Sequence, residues 1–140
     1  MAVNVDPLFT DVARIGIAQL AAANTGADLS TNAALIFTGG ADGSLLVEAR
    51  MKYIPGTSTV ATAARLWINN NGTLSTTTNN SLLTEMTVAA ITSSQTAATV
   101  DYVFLLPRAG LFVPANYRVY ITIGTYSTGT FMCTGIGGDY

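Results

Sequence analysis

Leu45-Leu46-Val47-Glu48-Ala49-Arg50-Met51-Lys52-Tyr53 decides the fold. Leu45, Val47, Ala49, Met51 and Tyr53 alternate with Glu48, Arg50 and Lys52. A two-residue period marks a strand with one face on a core and the other in water. The pattern recurs at 117–124, where Tyr117, Val119, Ile121 and Ile123 oppose Arg118, Tyr120 and Thr122. It recurs where Ala64, Leu66 and Ile68 alternate with Arg65, Trp67 and Asn69. Val103-Phe104-Leu105-Leu106 is apolar without a break, which suits a more central strand.

Turn residues divide the chain into about eight strands, near 13–20, 33–38, 45–54, 62–69, 82–90, 100–106, 117–124 and 128–136. Between them lie Gly39-Gly40-Ala41-Asp42-Gly43, Pro55-Gly56, Asn71-Gly72 and Pro107-Arg108-Ala109-Gly110. Gly and Asn accept positive φ, and Pro presets the turn entry. Residues 11–23 also carry a helix-like pattern in Val12, Ile15, Ile17 and Leu20, but Gly16 interrupts it and the segment is read as a strand. Polar stretches at 69–81 and 92–99 read as surface loops. The reading is therefore all-β: an antiparallel two-sheet sandwich, with an eight-stranded jelly roll the commonest form. Residues 11–140 make one domain, preceded by a flexible N-terminal arm over 1–10.

Composition narrows the function. Charged residues are 10% of the 140-residue chain, against roughly 25% in an average soluble domain. Hydrophobic residues are 49% and the mean hydropathy is +0.41. Gly, Thr, Asn or a charge breaks every apolar run before the ~18 residues a membrane helix needs. Met1 to Thr10 has neither a basic start nor an apolar core, so no signal peptide is expected and the sequons at Asn71 and Asn79 are read as accidental. So little charge fits a β domain covered by Thr, Ser and Asn. It fits equally a subunit whose surface is buried against copies or partners. Nucleic acid is an unsuitable partner: the net charge is −2, Lys52 is the only lysine and the arginines are scattered.

The chemistry of catalysis finds few handles. Histidine is absent, which removes the commonest general base, nucleophile partner and metal ligand. A carboxylate pair of Glu48 and Glu85 could serve glycoside hydrolysis if the two faced one another, but each reads more simply as a solvent-facing charge. Asp28 and Asp42 lie in loops without the spacing of a calcium loop, so no metal or other cofactor is expected. Cys133, the single cysteine, reads as a small buried hydrophobe. The expectation is a protein that is not an enzyme. The charge deficit instead nominates Trp67, Phe112 and Tyr120 as residues that point away from their own core into an interface. Leu8 and Phe9 in the arm, which follow Pro7, are the attachment candidates. Trp67 with loop 69–81 would alternatively make a sugar-stacking platform.

Ala64-Arg65-Leu66-Trp67-Ile68-Asn69-Asn70, then Ser81-Leu82-Leu83-Thr84-Glu85, then Leu106-Pro107-Arg108-Ala109-Gly110-Leu111-Phe112-Val113-Pro114-Ala115-Asn116-Tyr117-Arg118, closing on Gly137-Gly138-Asp139-Tyr140, resembles small virion proteins of tailed bacteriophages. The resemblance begins at Ala64 and leaves the first 60 or so residues uncovered. It implies a capsid decoration (cement) subunit of jelly-roll fold, homotrimeric, bound to the major capsid protein or another virion protein, and assembled in the host cytoplasm. The alternative it leaves open is a receptor- or glycan-binding domain of a tail or head fibre. It brings no catalytic residues. Within the quoted segments, Glu85 and Arg118 are the candidates for a partly buried structural ion pair.

Overall fold

The run at 45–53 lies in the longest strand of the protein, β3, Ser44–Ile54. The structure, a computed structural model, describes residues 10–54, 58–94, 96–126 and 128–140. Around β3 are β1 (Val12–Leu20), β2 (Ala34–Thr38), β4 (Thr62–Asn69), β5 (Asn80–Val88), β6 (Asp101–Val103), β7 (Leu111–Val113), β8 (Arg118–Ile123) and β9 (Thr130–Asp139). A single 3-10 turn, Thr77–Asn79, is the only helical element among the described residues. No helix there is long and apolar enough to cross a membrane.

Two antiparallel sheets pack face to face. The front sheet has the order β1-β9-β3-β6, with β7 also on β3, and the back sheet has the order β2-β8-β4-β5. The pairing is nested: first strand with last (β1·β9), then β2·β8, β3·β6 and β4·β5. Between the sheets lies one core, built from Ile36, Leu46, Met51, Tyr53, Leu66, Ile121 and Phe131 among others. Leu66, Val119, Ile121 and Ile123 take the core face that their alternation predicts, and residues 12–20 form a strand rather than a helix. Gly43, Asn71 and Gly110 take φ of 89°, 67° and 90°, as the turns around them require. The Pro55-Gly56 turn and the arm, apart from Thr10, lie outside the described residues.

Three details depart from the sequence reading. There are nine strands among the described residues, because Leu111–Val113 pairs with the start of β3. The 103–106 run is not central: Val103 ends β6, an edge strand, and only Phe104 turns fully into the core. The third is a β-bulge between Leu46 and Glu48, which shifts the phase of β3 against β9. One extra residue flips every side chain on one side of it. Leu46 therefore enters the core with Ala49, Met51 and Tyr53, while Val47, predicted inside, is exposed beside Glu48.

Cys133 on β9 is fully buried, and desolvation pushes its thiol pKa up to about 12. The native thiol should resist DTNB at pH 8 and react fully once guanidinium unfolds the chain. Because the folded pKa is raised, the stabilisation is complete below the unfolded thiol's pKa, about 8.5, and is lost as pH climbs toward the folded value. Prompt labelling of the native protein would show that β9 opens locally.

Candidate interaction face

The two sheets differ in what covers their outer faces. On the back sheet, strand alternation sends Trp67 and Tyr120 outward, side by side in neighbouring strands. Both are nevertheless buried, at 7% and 4% exposure, because Leu29 and Leu74 close over them. That cover is tied down. Leu29 N–H donates to the Leu74 carbonyl at 3.1 Å. Asn80 Nδ2 donates to the carbonyls of Ala27 and Leu74, each at 2.7 Å. Asn24 Nδ2 bonds the carbonyls of Asp28 and Thr31 at 2.6 and 2.7 Å. Trp67 Nε1 donates to Thr122 Oγ1 at 3.0 Å, which satisfies the indole inside this second small core.

Trp67 and Tyr120 are therefore not interface residues of the folded chain. Their predicted direction is right, but a loop about 40 residues upstream of Trp67 covers them, which no local pattern encodes. The same cover closes the sugar-stacking platform, since stacking needs a free ring face. Phe112 behaves differently. It is 54% exposed on the outer side of the front sheet, with Tyr140 tilted against it at a centroid distance of 6.1 Å. Leu8 and Phe9 lie outside the described residues.

The predicted Glu85–Arg118 pair does not form. Glu85 lies opposite Arg65 on β4, with Arg65 Nε 3.3 Å from Glu85 Oε2. Arg65 in turn lies opposite Thr122 on β8. Arg118 is four residues further along β8, roughly 13 Å away, in register with Asn69. Glu48 and Glu85 also stay apart, on the outer faces of opposite sheets, so they cannot flank one substrate. The Ser30 hydroxyl, and then the Ser30 N–H at 2.8 Å, donate to Asp28 and lower its pKa.

The front sheet's outer face has no such cover among the described residues. Across its middle, Ile17, Thr134, Arg50 and Val103 stand in one row, and Ile15, Ile136 and Glu48 in the next. Phe104 N–H donates to the Ala49 carbonyl at 2.8 Å, so β6 keeps its course and Leu105 falls beside Glu48. Ile15, Ile17, Val47, Val103, Leu105 and Phe112 are each more than half exposed, and Leu105 reaches 85%. Between these apolar flanks runs a column of charge. Arg50 Nε lies 3.4 Å from Glu48 Oε1, and Lys52 Nζ lies 3.1 Å from Asp101 Oδ1. The sequence signal for Ile15 and Ile17 was present in the alternation of 12–20, but only the structure shows which side is bare.

One polar cluster, absent from the sequence reading, lies at the end of the front sheet on the side that faces the back sheet. Asp139 accepts from Arg14 Nη1 at 2.9 Å and from Ser44 Oγ at 2.5 Å, while Gly40 N–H donates to Ser44 Oγ at 2.8 Å. It ties the first and last strands to the start of β3. Arg14 is partly solvated, so its ion pair contributes less than ~1 kcal/mol. The larger share is the fully buried Ser44 hydroxyl, which loses its acceptor if Asp139 is removed. Asp139→Ala is expected to cost about 2–3 kcal/mol and to lower Tm by roughly 6–10 °C. Asp139→Asn, which still accepts from Ser44, should lose less. Equal melting of all three proteins would show that Ser44 finds another partner.

Compared with known proteins, the chain matches no family model, no curated sequence and no solved structure.

Proposed function

We propose that this chain is a structural protein of a tailed-phage virion, a decoration (cement) subunit that stabilises the head by homo-oligomeric assembly on the shell. The observation that carries the reading is the contrast between the sheets. The back sheet's outward aromatics are closed over by the chain's own loops, whereas the front sheet presents six large apolar side chains to solvent. Monomeric soluble domains rarely leave so many large apolar side chains bare on one sheet face, and such a face marks a contact with another macromolecule. The charge content of 10% agrees, because a surface buried in an assembly needs little charge. The nested pairing, β1·β9, β2·β8, β3·β6 and β4·β5, supports the jelly-roll reading with β7 as an added strand: it is a long folded ribbon rolled into two sheets. The resemblance of 64–140 to phage virion proteins supplies the setting. Attachment works through area and repetition, since many weak contacts on a symmetric shell combine into avidity.

The test uses the purified full chain and expanded phage heads that lack their decoration protein. Saturable co-sedimentation, with greater resistance of the decorated heads to heat or chelator, is the expected result. No binding to any expanded head, together with saturable binding to a glycan, would overturn the reading in favour of a receptor-binding module.

A further inference from the structure

We infer that the bare outer face of the front sheet is a self-complementary surface that pairs two copies of this chain about a two-fold axis. The inference deepens the assembly reading above and rests on it, because it names which face copies use and how they meet.

The cross-strand rows set how two copies can meet. The row Ile15, Ile136, Glu48 and Leu105 lies directly beside the row Ile17, Thr134, Arg50 and Val103. A two-fold axis lying in the contact plane, crossing the strands midway between these rows, exchanges them. Ile15 then meets Ile17 of the second copy, and Leu105 meets Val103. Glu48 meets Arg50. Apolar flank falls on apolar flank and acid on base at the same time. Each contact is repeated by symmetry, as an isologous interface requires.

One further observation favours a second copy over a different partner. The face is charge-balanced: Glu48 and Asp101 offset Arg50 and Lys52, so it repels neither itself nor its rotated image. A partner of one dominant charge would find no complement here.

The area is adequate. Four strands spaced about 4.8 Å apart and nine residues long make a flat face of roughly 600 Å², before side-chain relief is added. A standard interface takes about 800 Å² from each partner. Sheets that pack face to face stay within about 30° of alignment, which the natural twist allows. A trimer, by contrast, needs a head-to-tail contact that this face does not provide.

The experiment is sedimentation velocity on the full chain at micromolar concentration, without phage particles. The wild type is expected to run as a dimer. Glu48→Arg places arginine against Arg50 of the second copy, and Arg50→Glu places two acids together. Each single variant should dissociate at least ~10-fold more readily. The double exchange Glu48→Arg with Arg50→Glu should restore the dimer, and mixing the two single variants should yield a heterodimer. Leu105→Asp, at an exposed position where folding is unaffected, should give a monomer with unchanged circular dichroism. A wild-type monomer or trimer overturns the inference, as does a dimer indifferent to all four variants. A dimer that ignores phage heads leaves the inference standing and sinks the decoration reading; a monomer that binds heads does the reverse.

Discussion

Gly16→Ala is expected to lower the melting temperature by about 10 °C or more, the largest loss from the smallest change in the molecule. A Cβ at position 16 would lie 1.7 Å from the carbonyl oxygen of Ile36, and real contacts begin near 3.0 Å. The obstacle is backbone of β2, so no side chain can swing aside. Gly135, which pairs with Gly16 across β1 and β9, sits under the same carbonyl, with its own Cβ position 2.7 Å away. At these two glycines the backbone of β2 comes close to β1 and β9. An added methyl must push β2 from β1 and open the core beneath Ile36. Overpacking of this kind costs roughly 3 kcal/mol or more. At this chain length about 3–4 °C of Tm accompanies each kcal/mol. Thr87→Ala, exposed on β5 and away from the front sheet, is the control and should shift Tm little. A Gly16→Ala protein melting within about 2 °C of wild type would show that β1 and β2 are further apart than described.

Trp67→Ala is expected to cost about 3–5 kcal/mol, the range for emptying a large buried aromatic site. The loss combines the contacts with Leu29 and Tyr120 and the hydrogen bond to Thr122, itself fully buried. Trp67 is the only tryptophan, so fluorescence reports on it alone. Native emission should be blue-shifted and protected from iodide, and both properties should vanish on unfolding. Phe112→Ser should behave in the opposite way, leaving Tm nearly unchanged while weakening self-association. Iodide quenching of native Trp67, together with an unaltered Tm in Trp67→Ala, would return that residue to the interface and remove the contrast on which the functional proposal depends.

Much of the architecture was legible because strand periodicity is local. Ala64, Leu66 and Ile68, and Val119, Ile121 and Ile123, declare their core face within a few residues. Turn chemistry is local too, as Asn71 and Gly110 show. Even the outward direction of Trp67 and Tyr120 follows from parity. Of the interface candidates among the described residues, Phe112 is the one left exposed, because Tyr140 tilts against it without covering it.

By itself, then, the sequence determined an all-β sandwich, the alternation of most strands and the poverty of charge. Tertiary structure alone decided the rest: that Val47 sits on a bulge and leaves the core to Leu46, and that Glu85 meets Arg65 and not Arg118. It also decided that residues 24–33 bury Trp67 while Ile15 and Ile17 stay bare. Each of these depends on which strand lies beside which, and in what register. That is settled by contacts between segments far apart in the chain, whereas a periodic pattern specifies a face but not its neighbour.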